Sequence, residues 1–158
     1  MRIAYADPPY IGCSHLYPEN EEINHGKLIE QLMGYDGWAL STHVPGLRII
    51  LPMCPDDIRI GAWVKPWASF RPNVNPAYAW EPVIFWGGRK RGRKLPTLRD
   101  WVSANATKQR GVIGAKPNQF CYWIFEMLGA QKDDDFIDLF PGSGAVTEAW
   151  NIWIYKLI

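Results

Sequence analysis

The sequence predicts a single α/β domain with a mostly parallel sheet, and two segments at opposite ends of the chain carry this prediction. Residues 3–6 form a short apolar run typical of a buried strand, and the run stops at two prolines. Residues 136–140 form a second apolar run, which leads through a glycine turn into a stretch of helix-compatible composition. A chain of 158 residues with 47% hydrophobic residues can bury one substantial core, so one compact domain is expected.

The other elements are assigned from apolar runs and from the positions of proline and glycine. Short apolar runs predict strands at 2–6, 48–52, 61–64, 83–86 and 136–140. Helical patterns predict helices at 25–40, from 55, at 98–104 and at 145–150. Proline and polar residues predict irregular structure at 11–24, at 65–79 and over most of 89–119.

The first strand ends in the motif Asp7-Pro8-Pro9-Tyr10. Two prolines cannot continue a strand, because each fixes φ and neither has an N–H, so the chain must leave the sheet in a rigid turn. The turn holds a carboxylate, a prolyl carbonyl and an aromatic ring at the carboxyl end of a strand. Open α/β sheets bind ligands at that end. The motif therefore predicts an active site, with an ordinary surface turn as the alternative.

This cluster suits reactions in which an exocyclic amino group attacks an electrophile. The amino nitrogen of adenine or cytosine is a poor nucleophile, because its lone pair is delocalised into the ring. The Asp7 carboxylate and the Pro8 carbonyl provide two fixed acceptors for the amino hydrogens, which favours a tetrahedral nitrogen as a methyl group arrives. The Tyr10 ring is suited to stack on a base rotated out of its duplex.

The glycine turn at the other end of the chain predicts a ligand site of its own. Pro141-Gly142-Ser143-Gly144 follows a strand and precedes a helix, an arrangement that brings backbone close to a ligand at a helix N-terminus. A single Gly-x-Gly also occurs in ordinary turns. No lysine follows Gly144 as in a phosphate-binding P-loop, so nucleoside triphosphate binding is disfavoured.

Together the two motifs resemble those of S-adenosylmethionine-dependent DNA amino-methyltransferases, particularly the adenine-N6 type. The catalytic motif precedes the cofactor motif, which is similar to the permuted (β-type) order. The resemblance implies a Rossmann-like methyltransferase domain without a large target-recognition domain, the cofactor S-adenosylmethionine and catalytic residues Asp7, Pro8, Pro9 and Tyr10. It implies a cofactor site formed by Asp7, Lys116, Pro117, Asp138, Phe140, Pro141, Gly142, Ser143 and Gly144.

The resemblance also extends to segments between the two motifs. Lys116-Pro117 before 120–129 looks like the Lys-Pro and helix that precede the cofactor strand, and 81–86 looks like the strand after the catalytic half. The implied organisation is a catalytic half at 1–88, a basic irregular loop at 89–115 and a cofactor-binding half at 116–158. Only residues 11–24 and 65–115 remain to recognise a nucleic-acid sequence, so we expect a short recognition sequence or relaxed sequence specificity.

The sequence departs from the family pattern after the cofactor helix, where no acidic residue follows Trp150 to hold the cofactor ribose. Three alternatives follow: the ribose is held differently, a partner chain completes the pocket in a homodimer, or cofactor affinity is poor. The leading function is methylation of adenine N6 in duplex DNA with the base flipped out. The alternatives are methylation of cytosine N4 or of RNA, and a non-catalytic remnant that only binds nucleic acid.

Basic character is local, because the net charge of +1 provides no global attraction for nucleic acid. Five cations fall within six residues, and they are candidates for phosphate contacts or for an ordinary solvated loop: Arg89, Lys90, Arg91, Arg93 and Lys94. Three widely spaced cysteines indicate reduced thiols, and no metal site is expected. The sequence has no signal-peptide pattern and no run of 18 apolar residues, so a cytoplasmic protein is expected.

Overall fold

A computed structural model describes residues 1–12, 22–66, 73–109 and 112–156 of the chain. The strands are β1 (Arg2–Ala6), β2 (Gly37–Ser41), β3 (Arg59–Val64), β4 (Trp80–Gly87), β5 (Trp101–Ser103), β6 (Thr107–Gln109), β7 (Val112–Ala115) and β8 (Asp135–Asp138). The α-helices are α1 (His25–Leu32), α2 (Leu47–Ile50), α3 (Asn118–Met127) and α4 (Ala145–Tyr155), and 3-10 turns at Val44–Gly46 and Leu51–Met53 flank α2.

The main sheet has six strands in the order β5-β3-β4-β2-β1-β8, and β6 pairs with β7 in a separate antiparallel hairpin. In the main sheet β1 lies between β2 and β8 and is parallel to both. Strand β4 is antiparallel to its neighbours β2 and β3, whereas β3 and β5 are parallel. The predicted mostly parallel α/β fold is therefore confirmed, and the carboxyl ends of β1, β2 and β8 share one edge of the sheet.

The core lies on both faces of β1, because successive side chains of a strand point to opposite faces. Ile3 and Tyr5 pack on one face among aromatic side chains of α3 and α4, including Phe120 and Phe125. Ala4 and Ala6 pack on the other face with apolar side chains of α1 and β2: Leu28, Ile29, Leu32, Trp38 and Leu40. A strand buried on both faces reads as continuously apolar, which explains why β1 has the predicted bounds.

The helix predicted at 25–40 is wrong beyond Leu32, because residues 37–41 form the buried strand β2. Gly37 is required where β2 crosses the end of β4, since a Cβ on Gly37 would lie 2.5 Å from the backbone nitrogen of Gly88. Gly37 therefore belongs to a close approach between β2 and the backbone that follows β4 and is not part of a helix.

The strand predicted at 48–52 and the helices predicted from 55 and at 98–104 are also wrong. Leu47, Ile50 and Leu51 have the i, i+3, i+4 spacing of a helical face, and they pack toward the α1 side of the core in α2 and the following turn. Residues 55–58 form a turn before β3. Residues 101–103 form the short strand β5, because pairing with β3 overrides local helix propensity.

The region 89–119, predicted to be largely irregular, contains β5 and the hairpin of β6 and β7 before α3 begins. The segments predicted as strands at 61–64, 83–86 and 136–140 correspond to β3, β4 and β8. The helices expected at 120–129 and 145–150 correspond to α3 and α4. Within the residues described, no helix has the length and apolar character needed to cross a membrane.

Candidate active site

The Asp7 motif and the glycine turn lie side by side at one edge of the sheet. Strands β1 and β8 are parallel neighbours in which Tyr5 is paired with Asp138. The Leu139 N–H donates a hydrogen bond to the Tyr5 carbonyl at 2.9 Å, so the pairing continues past the end of β8. The chain therefore leaves β1 at Asp7 and leaves the β8 pairing at Phe140, and these two exits are neighbours at the same edge of the sheet. The structure thus brings together two motifs from opposite ends of the chain.

Lys116 joins this edge from the segment before α3. Its Nζ lies 3.0 Å from Oδ2 of Asp7 and 3.8 Å from Oε2 of Glu81. The Lys116 side chain is only 8% exposed, and its ammonium lies over the Trp63 ring at 5.1 Å from the centroid. A buried ammonium needs opposite charge nearby, and two carboxylates provide it. Lys116, predicted from the Lys-Pro motif, therefore contacts the predicted catalytic carboxylate.

Glu81 is a site residue that the sequence analysis did not assign. It lies in β4 and accepts a hydrogen bond from the Tyr10 hydroxyl at 3.0 Å, and it forms an ion pair with Lys65. Burial alone would raise the pKa of Glu81, but the ammonium groups of Lys116 and Lys65 hold that pKa below its usual value. The sequence shows only an acid next to the apolar run 83–86, which does not reveal its contact with Tyr10.

Tyr10 is held from two directions. Besides the hydrogen bond to Glu81, its ring stacks in parallel on the ring of His43, with centroids 5.1 Å apart and an interplanar angle of 3°. His43 follows the carboxyl end of β2, which lies at the same edge as the end of β1. Pro8 is buried in the turn between Asp7 and Tyr10. The predicted catalytic motif is therefore packed into the domain and differs from a freely solvated turn.

The glycine turn before α4 has the open backbone expected of a ligand site. Gly142 and Gly144 have φ angles of +46° and +76°, which other residues rarely adopt. The Gly144 N–H donates to the Pro141 carbonyl at 2.6 Å, closing the turn. A Cβ on Gly144 would meet no atom within 4 Å, so the space beside this residue is open.

Asp138 lies at the end of β8 between the two motifs. Its Oδ1 accepts a hydrogen bond from the Phe140 N–H at 3.2 Å, whereas its buried Oδ2 has no hydrogen-bond partner among the described residues. Burial, together with the nearby Asp7 carboxylate, raises the pKa of Asp138 to about 6. Buried acceptors in native proteins are almost always satisfied. A cationic donor from a bound ligand would supply the missing partner of Oδ2.

Replacing Asp138 with asparagine is expected to stabilise the protein at pH 8. Because burial raises the folded-state pKa of Asp138 to about 6 from 3.8, the stabilising contribution of this group is present below about pH 4 and is lost as pH rises toward 6. Asparagine keeps the acceptor for Phe140 without a charge to desolvate. We expect Asp138→Asn to raise the free energy of unfolding by about 1–2 kcal/mol at pH 8, allowing for partial exposure, and by little at pH 4. Urea unfolding at both pH values measures this, and an equal gain at the two would contradict it.

The basic run is not brought to the Asp7 edge. Residues 89–94 follow β4, which is antiparallel to β2, so the run begins at the opposite edge of the sheet, roughly 15 Å away over five residues of strand. Arg89 forms a two-pronged ion pair with the buried carboxylate of Asp134 and also donates to the Gly129 carbonyl. Arg91 donates from Nε to the Pro96 carbonyl at 2.9 Å. Nucleic-acid binding by this run stays a prediction.

No group of three or more potential ligand residues within the described ranges is arranged to hold a metal ion. Cys13 and His15 lie outside the described residues.

The six-stranded, mostly parallel sheet and the helices packed on it form a Rossmann-like α/β fold of the kind found in methyltransferase domains. The structure is similar to the crystal structure of an M1.HpyAVI–SAM complex, with a TM-score of 0.66 and 14% sequence identity over 97% of this chain and 78% of that chain. It is also similar to a crystal structure of M1.HpyAVI, with a TM-score of 0.64 and 11% identity over 98% of this chain and 76% of that one. No family model and no curated protein sequence matches this chain. At these low sequence identities, the structural similarity establishes the fold alone.

Proposed function

We propose that this chain transfers a methyl group from S-adenosylmethionine to the N6 amino group of adenine in DNA. One observation carries the proposal: Asp7 lies at the same sheet edge as the open glycine turn, and the buried Lys116 contacts Asp7 at 3.0 Å. A carboxylate beside an open glycine turn, on a fold similar to that of M1.HpyAVI, supports amino methylation, because a fixed acceptor can stabilise charge that develops on the amino group.

The residues around the glycine turn fit S-adenosylmethionine. The partnerless Oδ2 of Asp138 is a suitable acceptor for the ammonium group of the methionine part. The open backbone at Gly142 and Gly144 allows close approach of a ligand before α4. Lys116 and Pro117 border the same edge and would complete the site. When bound, the cofactor supplies the electrophilic methyl group.

Asp7 and Tyr10 provide what the methyl acceptor needs. The Asp7 carboxylate and the Pro8 carbonyl accept the two hydrogens of the amino group and favour a tetrahedral nitrogen, and Lys116 fixes the position of Asp7. The carboxylate need not be a strong base, because the amino proton can leave after the nitrogen is methylated. Tyr10 stacks on the base once it is rotated out of the duplex.

The test is transfer of labelled methyl from S-adenosylmethionine to mixed-sequence duplex DNA and, in a parallel reaction, to RNA, followed by mass analysis of the nucleosides. N6-methyladenine is the expected product. N4-methylcytosine, or label only in RNA, would overturn the proposed substrate and keep the reaction class. Nucleic-acid binding without transfer and without cofactor binding by calorimetry would indicate a non-catalytic remnant. Asp138→Asn serves as a folded control that is expected to lose cofactor affinity.

A further inference from the structure

Tyr10 is the aromatic residue of the Asp7 motif, and two residues outside that motif fix its orientation. Glu81 accepts the hydrogen bond from the hydroxyl at 3.0 Å, which restricts where the tip of the side chain lies. His43 stacks on the ring with an interplanar angle of 3°, which restricts the tilt of the ring. A hydrogen bond at the tip and a flat contact on one face together fix the plane of the Tyr10 ring.

The surroundings of His43 indicate that its flat face is what it contributes. Its Nδ1 is buried and has no hydrogen-bond partner within the described part of the chain. Burial lowers the pKa of His43, so the ring is neutral at neutral pH and stacks without a charge. An imidazole that forms no hydrogen bond through its buried nitrogen, yet lies flat on a tyrosine, acts through ring contact.

Gly46 provides the room that this stacking needs. It lies in the 3-10 turn Val44–Gly46, which begins directly after His43. A Cβ on Gly46 would lie 2.9 Å from both Cε1 and Nδ1 of His43, too close without a shift of the imidazole. Because those atoms are the far end of a side chain, the ring would move while the backbone stays. Gly46 therefore offers a way to displace His43 without removing it.

We propose that His43 is a positioning residue that holds the ring of Tyr10 in the orientation in which Tyr10 receives the target base. This inference rests on the proposed function, because it concerns how the base is received there. Ordering a tyrosine side chain at the moment of binding costs free energy, and a ring that is already fixed avoids that cost. The contact between His43 and Tyr10 affects binding of the nucleic-acid substrate and leaves the cofactor site at Asp138 and Gly144 unchanged.

The test compares three variants of the His43 contact with a matched aromatic control. His43→Ala removes the ring, Gly46→Ala displaces it, and His43→Phe keeps a flat ring without nitrogens. The control is Tyr155→Ala, because Tyr155 is 73% exposed at the far end of α4. We expect kcat/KM for DNA to fall about three- to tenfold in His43→Ala and Gly46→Ala, the size of effect that loss of an aromatic contact produces. His43→Phe and the control should stay within about twofold.

Two further measurements separate positioning from a structural role. The dissociation constant of S-adenosylmethionine and the melting temperature should be the same in His43→Phe and wild type, and Gly46→Ala should keep its cofactor affinity. Wild-type kcat/KM in His43→Ala would overturn the inference. So would an equal loss in His43→Phe and His43→Ala, because that would assign the effect to the imidazole nitrogens.

A binding readout distinguishes failure of this inference from failure of the proposed function. Oligonucleotides that carry 2-aminopurine in place of adenine report stacking through quenching of their fluorescence. If the wild type transfers no methyl group but still quenches, and His43→Ala quenches less than His43→Phe, the function fails and the stacking inference holds. Equal quenching by all variants, or no quenching by any of them while methyl transfer is intact, overturns the inference alone. Absence of both quenching and methyl transfer in the wild type overturns both.

Discussion

Asp7→Asn is expected to lower methyl transfer at least about 100-fold, because it weakens an acceptor aimed at the reacting amino group. Asparagine has nearly the same size, so the turn between Pro8 and Tyr10 is preserved. Its amide oxygen is a neutral and therefore weaker acceptor than a carboxylate oxygen, and its amide nitrogen is a donor that cannot accept an amino hydrogen. The effect falls on kcat, since the interaction strengthens as the nitrogen becomes tetrahedral.

The fold should survive this change. Lys116 loses its 3.0 Å contact with Asp7 but keeps Glu81 at 3.8 Å, so its buried ammonium retains an opposite charge. We expect a loss of about 1–2 kcal/mol in the free energy of unfolding. Single-turnover transfer and thermal melting measure the two effects separately.

Asp135→Asn is the matched control for Asp7→Asn, because it removes an exposed carboxylate that only forms a loose pair with Arg2 at 3.7 Å. Surface pairs of this kind contribute little to stability, and Asp135 begins β8 at the edge away from Asp7. The control should keep full activity. If Asp7→Asn keeps more than a tenth of wild-type transfer, the assignment of Asp7 as the catalytic carboxylate is wrong.

The local structure of the two motifs can be predicted from the sequence, because each motif is determined by neighbouring residues. Prolines after an apolar run end a strand wherever the rest of the chain lies, and paired glycines before a helix make a turn. Asp7 and Gly144 could therefore be placed at carboxyl ends of strands from the printed residues alone, and parallel pairing then puts them at one edge. The assignment of Lys116 to the cofactor site depends on the family resemblance, and no local signal predicts its contact with Asp7.

Glu81 and His43 could not be found in this way, because their roles depend on strand order. Glu81 reaches Tyr10 only because β4 runs antiparallel and begins at the edge where β1 ends. The stacking of His43 depends on β2 lying directly beside β1. A single acid or histidine has no pattern that reveals such neighbours. The same limit applies to β2 and β5, whose short segments become strands through pairing that propensity does not encode.

The basic run shows the converse, a local signal that is ambiguous without the fold. Charge density alone marks 89–94 as a candidate for phosphate contacts. Because β4 is antiparallel to β2, the basic run begins at the opposite edge of the sheet from Asp7. At that edge, Arg89 forms an ion pair with Asp134. One cation of the five is thus committed to an internal ion pair, which the spacing of the run does not reveal.

Arg89→Ala is therefore expected to lower the free energy of unfolding by about 2–3 kcal/mol, since it removes the two-pronged partner of a buried carboxylate that keeps only the terminal ammonium and the Gln131 N–H. The side chain of Asp134 is only 1% exposed, and Arg89 Nη2 lies 2.7 Å from its Oδ1. Burial alone would raise the pKa of Asp134, but hydrogen bonds from Arg89, the terminal ammonium and the Gln131 N–H hold that pKa far below its usual value. This stabilisation is present above about pH 4 and is lost as pH falls below it.

Chemical denaturation of Arg89→Ala and of Arg93→Ala at pH 7 and pH 3 tests this assignment. Arg93 lies in the same basic run and is exposed, so its removal should change stability by less than about 0.5 kcal/mol. The difference in stability between the wild type and Arg89→Ala should be smaller at pH 3 than at pH 7 without vanishing, because the pKa of Asp134 is so far below its usual value that the wild-type carboxylate is still ionised at pH 3. Any loss of DNA binding in Arg89→Ala should then follow its loss of fold, whereas a loss in Arg93→Ala would be a direct effect on phosphate contacts. An Arg89→Ala protein of wild-type stability that binds DNA more weakly would instead place Arg89 at the nucleic-acid surface.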